Sequence, residues 1–137
     1  MPFTTRIPVR FGDVDYARIA YYPKLLHILH VAFEDFFERG VGVPYATLLG
    51  EMNIGFPAAH IACDFKKPVR FGDVLEVAIT VPRIGTSSVS FHHVVTVDGP
   101  ADLRSTTTID RVAVDMETLR PVPIPDQLRE AFARIAS

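Results

Sequence analysis

Apolar and polar positions alternate at the start of the chain. Phe3, Thr5, Ile7, Val9 and Phe11 share one parity, and Arg6 and Arg10 share the other. A period of two predicts a strand over 3–11. Pro8 has no N–H to give a neighbour, so this strand belongs at a sheet edge or begins its regular pairing late. Residues 12–22 read as a loop holding at most a helical turn. From Pro23 the period lengthens, and Leu25, Ile28, Leu29, Ala32, Phe33, Phe36 and Phe37 fall on one arc of a helix. Pro23 suits a first helical turn, no breaker follows before Arg39, and Gly40 stands where a C-terminal cap is expected. Three phenylalanines on one helix require a large concave partner. A short helical turn is expected at 44–49.

The period of two then returns. In 58–67, Ala59, Ile61, Cys63 and Phe65 oppose His60, Asp64 and Lys66. In 75–81, Leu75, Val77, Ile79 and Val81 alternate with Glu76, Ala78 and Thr80. In 87–97, Val89, Phe91, His93, Val95 and Val97 alternate with Ser88, Ser90, His92 and Thr96. A last strand, 102–115, changes phase between Ile109 and Val112, which a bulge near Asp110–Arg111 would produce. The segment "RPVPIP" ends the sheet, and 126–135 reads as a short helix capped by Asp126. One strand, one long helix and four strands joined by short turns imply an antiparallel sheet facing a greasy helix, an α+β fold. A curled sheet wrapped round that helix satisfies the phenylalanines. Its outer face still needs cover, which points to a homodimer or homotetramer.

Composition narrows the classes. The 137 residues are 48% hydrophobic, which suits one domain over 1–137 with a sizeable core. Sixteen acidic and 14 basic residues leave a net charge of −2, so no global basic field exists to hold nucleic acid. No apolar run approaches a membrane span, and "MPFTTRIPVR" lacks the apolar core of a secretion signal, so a cytoplasmic setting is expected. Cys63 is the only cysteine, which excludes an intrachain disulfide and a cysteine metal cluster.

The candidate chemistry lies in a heptapeptide used twice. "PVRFGDV" occurs at 8–14 and at 68–74, and nothing outside it recurs. The second copy leads into a strand and reads as a hairpin corner in which Arg70 and Asp73 pair, with no chemistry of its own. The first leads into "DYARIAYYP", placing Asp13 and Asp15 in a loop ahead of the long helix. Amides at a helix start are unpaired and carry partial positive charge, so a carboxylate there faces groups able to polarise a carbonyl. The same pattern also describes an ordinary helix cap, and, more weakly, an Asp-x-Asp metal pair lacking a third ligand.

"FGDVDYARIAYYP", the helix after it, "RFGDVLEV" and "RIGTSSVSF" together resemble the hotdog-fold thioesterases of the 4-hydroxybenzoyl-CoA type, in order, over roughly residues 3–115. The resemblance implies a curled sheet of about five strands round one helix and hydrolysis of an acyl-CoA thioester. It places the catalytic carboxylate on Asp15 and the oxyanion-binding amide on Tyr22. It also implies a site completed by a second chain, and it leaves Asp13 structural. Many members of that family carry Gly where this chain has Arg18, so Arg18 is expected to narrow the pocket or touch substrate. No cofactor or metal is implied beyond the coenzyme A of the substrate. Two other readings stand beside this one: a non-catalytic acyl-CoA-binding module and an enoyl-CoA hydratase, although no His follows the Asp loop directly.

Other polar residues carry weaker signals. His27, His30 and Glu34 share one side of the long helix, a set incomplete for zinc or di-iron and better suited to a solvated or intersubunit face. His60 opposes the core face of its strand; exposed in a monomer, it could reach a neighbouring subunit's site. His93 reads as a satisfied core histidine, His92 as exposed, and Cys63 as buried and inert. Coenzyme A phosphates need cations, for which Arg83 with Ser87 and Ser88 on the "IGTSS" turn, and Lys66, Lys67 and Arg70, are the candidates. Tyr16, Tyr21, Tyr22 and Phe56 are candidates to line an aromatic pocket.

Overall fold

A computed structural model describes residues 1–137. Strand β1 (Phe3–Pro8) opens the chain, followed by a single 3-10 turn at Phe11–Asp13. Helix α1 (Tyr22–Asp35) runs without interruption into a π-helical segment, Phe36–Val41. A short helix α2 (Tyr45–Gly50) and strand β2 (Ile54–Gly55) lead to β3 (Ala58–Phe65). Strands β4 (Val74–Ile84), β5 (Ser88–Thr96) and β6 (Leu103–Val112) follow, then β7 (Val114–Asp115) and helix α3 (Asp126–Ala133). Five strands form one sheet in the order β1-β4-β5-β6-β3, every neighbouring pair antiparallel. β1 and β3 are its edges, as Pro8 requires of β1. This is the hotdog arrangement, one curled antiparallel sheet around one long helix.

The period-two residues fill the inside of the curl. Leu75, Val77, Ile79 and Val81 of β4 and Val89, Phe91 and Val95 of β5 are buried against Leu25, Ile28, Leu29, Ala32 and Phe33 of α1. The phenylalanines meet edge to face, with Phe33 and Phe91 centroids 5.1 Å apart and Phe91 and Phe132 5.3 Å apart. Such pairs add about 0.5–1.5 kcal/mol each beyond the area they bury. Phe132 comes from α3, which closes one end of the core.

Four expectations about element ends are corrected. The helix does not end at Gly40: the chain widens into the π-turn, and the left-handed cap is Gly42, at φ 85°. Gly40 serves packing instead, since a Cβ there would lie 2.6 Å from Cδ1 of Phe36. No bulge interrupts β6 at Asp110–Arg111. Ser105, Thr107, Ile109 and Arg111 stay buried in strict alternation, and the register shift falls on the partner strand between Ala58 and His60. The inward position that sequence assigns to an apolar residue is filled by Arg111, whose guanidinium lies 3.9 Å from the Phe33 ring centroid and donates from Nη1 to the Phe56 carbonyl at 2.8 Å. At α3 the cap position is Pro125, and Asp126 is the first helical residue, its side chain making no cap bond. β1 stops at Pro8 because residues 11–13 tighten into the 3-10 turn.

Candidate active site

The two copies of the heptapeptide close with the same pair of hydrogen bonds and lie against each other, but their backbones differ: the first is a 3-10 turn and the second carries Gly72 at φ 93°. In the first, the Asp13 amide donates to the Arg10 carbonyl at 2.9 Å and the Arg10 amide donates to Asp13 Oδ2 at 2.9 Å. In the second, the Asp73 amide donates to the Arg70 carbonyl at 3.0 Å and the Arg70 amide donates to Asp73 Oδ2 at 2.9 Å. The local chemistry of Arg-Phe-Gly-Asp thus closes both turns in the same way: the carboxylate reaches back to the amide three residues earlier. The copies are stitched together by Val9 N–H to the Asp73 carbonyl at 2.8 Å and Gly72 N–H to the Val9 carbonyl at 3.2 Å. Phe11 and Phe71 meet edge to face at 5.8 Å. Asp73 pairs with Arg104 at 2.8 Å and not with the Arg70 guanidinium, which corrects the corner pairing expected from sequence. Arg104 also holds Asp102 at 2.9 Å, and these bonds with Lys67 hold the Asp102 carboxyl down to about 2.

Asp15 follows the first copy. Its Oδ1 accepts the Ala17 amide at 2.8 Å, and its carbonyl accepts the Arg18 amide at 2.8 Å. The side chain is exposed and lines a hollow of about 670 Å³ with Phe11, Val14, Arg18, Arg70 and Phe71. Asp15 caps no helix: no side chain makes the cap bond of α1, and its N-cap is Tyr21. Asp13 is spent on its own turn, as expected. Arg18 sits at φ 67°, the left-handed region in which glycine alone is free of strain.

Tyr22 is the first residue of α1. The Lys24 and Leu25 amides both donate to the Tyr21 carbonyl, Pro23 has no N–H, and the Tyr22 amide donates no internal hydrogen bond. It stands at the positive end of the helix dipole. Tyr22 lines a second hollow, of about 460 Å³, with Tyr21, Leu25, Phe65, Lys66, Lys67 and Val69. Ile19 lines both hollows, so Asp15 and Tyr22 border adjoining spaces.

The other candidates divide. Tyr21, Lys66, Lys67 and Arg70 join this site. Arg83 and Ser88 do not within one chain: Arg83 Nη1 donates to Ser88 Oγ at 3.4 Å, and both lie with Ser87 at the opposite end of β4, about 30 Å of strand from Val74. His60 is on the edge strand, 3.7 Å from Asp110 and well exposed, away from both hollows in its own chain. Phe56 is core, 1% exposed, and Tyr16 is fully exposed, so neither lines the site. His27 borders a separate groove with Arg6, Arg10 and Asp35, while His30 pairs with Glu34 at 3.2 Å. His93 is buried but not satisfied: both ring nitrogens lack a partner, and burial with the nearby Arg111 charge pushes it down to about 4. Cys63 is only half-buried and accepts the Thr107 hydroxyl at 2.9 Å. The site residues that sequence reasoning missed are Phe11 and Phe71. The repeated heptapeptide was the available signal, because two copies at the ends of neighbouring strands bring identical side chains together.

A hotdog fold with a carboxylate beside an open helix-start amide defines a class, the hotdog enzymes that act on thioesters. Residues 9–132 match the Thioesterase-like superfamily, and the chain belongs to that family. A 1,4-dihydroxy-2-naphthoyl-CoA hydrolase from Nostoc punctiforme is 29% identical over 93% of this chain and 84% of its own. The solved structure of a gentisyl-coenzyme A thioesterase superposes with a TM-score of 0.83 at 27% identity, over 95% of this chain and 99% of that one. A thioesterase superfamily structure from Jannaschia sp. CCS1 reaches a TM-score of 0.90 at 25% identity, over 99% and 94%.

Proposed function

We propose that this thioesterase hydrolyses an acyl-CoA thioester to the free acid and coenzyme A, with Asp15 as the reacting carboxylate and the Tyr22 amide as oxyanion donor. The observation that carries the reading is the unpaired Tyr22 N–H at the start of α1, next to a hollow lined by Asp15. The thioester carbonyl sits beside Ile19, its oxygen toward the amide and its carbon toward the carboxylate. As water attacks that carbon, Asp15 Oδ2 takes its proton, the C–S bond breaks, and the thiolate leaves to be protonated. Direct attack by Asp15, forming a mixed anhydride that water cleaves, satisfies the same geometry. Label left on Asp15 after a single turnover in heavy-oxygen water would establish the second route, with water attacking the Asp15 carboxyl carbon. A donor such as the Tyr22 amide contributes on the order of a hundredfold in rate.

The acyl group we assign is aromatic. The related proteins are named for dihydroxynaphthoyl and gentisyl thioesters, and here Tyr21, Tyr22 and Phe65 line one hollow and Phe11 and Phe71 the other. The active unit we infer is a homodimer made through β3. Seven of that strand's eight residues are exposed, and its inward-parity Ile61 and Phe65 remain 44% and 55% exposed because α1 does not cover them. Phe65 walls the Tyr22 hollow, so a second copy on this edge would border the site. The direct test is a panel of aromatic and aliphatic acyl-CoA thioesters with free-thiol detection. Thiol release fastest with aromatic acyl groups is expected. No release from any thioester, with acyl-CoA bound intact, would replace hydrolysis with the binding-module reading, and water addition to 2-enoyl-CoA would replace it with the hydratase.

A further inference from the structure

Two guanidinium groups in the Asp15 hollow have nothing to bind. In the adjoining structure Arg104 is engaged with Asp73 and Asp102, and Lys67 with Asp102. Arg18 and Arg70 line the hollow, and only their backbone groups, not their side chains, take part in hydrogen bonds. Arg18 holds its place in left-handed backbone, at φ 67°, where glycine would be free of strain. Facing them are Phe11 and Phe71, 78% and 58% exposed although each is large and apolar. Their rings stand at 71° to each other, an edge and a face offered to the same space. Aromatic surface with two free planar cations matches a flat ring that carries negative charge.

The geometry points to the Asp15 hollow as the acyl site, selecting a planar aromatic acyl group that bears a carboxylate away from the thioester. This rests on the thioesterase reading above and sharpens it. Coenzyme A could supply the same chemistry through its adenine and phosphates. Those lie a whole pantetheine arm from the thioester carbon, however, whereas Arg18 and Arg70 share the hollow with the carboxylate that must reach that carbon. The negative charge of Asp15 opposes an anionic acyl group, and two cations against one anion leave the hollow net positive for it.

The test compares kcat/KM for 3- and 4-carboxybenzoyl-CoA with that for benzoyl-CoA, in the wild type, Arg18→Gln, Arg70→Gln and the double variant. The wild type is expected to prefer a carboxylated ring about tenfold or more, the scale of one charge-assisted pair. Each single variant is expected to lower that preference severalfold, and the double variant to abolish it. A wild-type preference for the neutral ring overturns the inference, and so does a preference that survives both substitutions. The pantetheine thioester of the same acid is run in parallel. If the substitutions instead erase discrimination between coenzyme A and pantetheine thioesters, the cations serve the nucleotide and the inference is wrong. Calorimetric titration of the wild type with terephthalate and with benzoate needs no turnover. Tighter terephthalate binding, lost in the double variant, supports the site even in a protein that cleaves no thioester; equal binding of the two acids counts against it in an active one.

Discussion

Single residues set the site through short-range bonds. Asp15 is aimed by the Ala17 amide two residues on, and Tyr22 is left open because proline follows it and the next two amides turn back to Tyr21. Both facts are local to "DYARIAYYP", although the family resemblance rather than the residue pattern is what singled out Asp15 and Tyr22. Arg18 shows what the site costs. Left-handed backbone disfavours a non-glycine residue by about 1–2 kcal/mol, and glycine returns about 0.5–1 kcal/mol of that through the unfolded chain. Arg18→Gly is thus expected to raise unfolding free energy by about 0.5–1 kcal/mol in a urea titration while weakening turnover. A destabilised Arg18→Gly would mean that the side chain contributes more to folding than its exposure suggests. Phe71 was not legible as a site residue, because its placement depends on pairing between positions 9 and 72–73, far apart in the chain. Arg111 was hidden for another reason: a guanidinium buried on a phenylalanine ring reverses the polarity rule from which strand faces are read.

Among the elements, strand parity was readable and helix ends were not. Inward residues of β1, β4 and β5 carry the expected alternation because each lies on a half-buried sheet. The π-turn at Phe36–Val41 leaves the apolar arc of α1 intact, so a hydrophobic pattern alone cannot register it. What it achieves is packing: Phe36 and Phe37 are both buried, and Phe36 lies 5.4 Å from Phe3 with Gly40 pressed against its ring. Gly40→Ala is expected to cost about 1–3 kcal/mol of stability by forcing that ring aside, measurable as a lower urea midpoint at unchanged slope. An unchanged midpoint would show that Phe36 can move freely. The bulge opposite Asp110 was misplaced because a phase change read from one strand does not say which of two paired strands carries the extra residue.

At the scale of the whole molecule, stability and the proposed assembly both depend on groups outside the Asp15 loop. His93 is held neutral, its pKa lowered from 6.5 to about 4 chiefly by burial. The unfolded chain therefore binds a proton first. Stability contributed by the neutral ring is complete above about pH 6.5 and declines as pH falls toward 4, by on the order of 3 kcal/mol. His93→Phe is expected to flatten unfolding free energy across that window, and equal pH slopes in variant and wild type would contradict the assignment. Assembly is tested by light scattering. A mass twice that of the chain is expected, falling to one in Ile61→Glu with Phe65→Glu, together with loss of turnover. A fully active monomer would remove β3 from the account. The sheet, the helix and the uncovered face could all be inferred from the chain alone. The division of the site into two adjoining hollows could not, since it depends on how distant segments of the chain meet around Ile19.

The central claim, that a carboxylate at position 15 cleaves a thioester held on the Tyr22 amide, is met most directly by steady-state kinetics of Asp15→Asn on the best substrate of the wild type. The exchange keeps the shape and can keep the bond from the Ala17 amide, but removes both basicity and nucleophilicity. Turnover is expected to fall by about a hundredfold to ten-thousandfold with substrate affinity nearly unchanged. Hydrolysis at the parent rate would show that the reaction is carried out elsewhere.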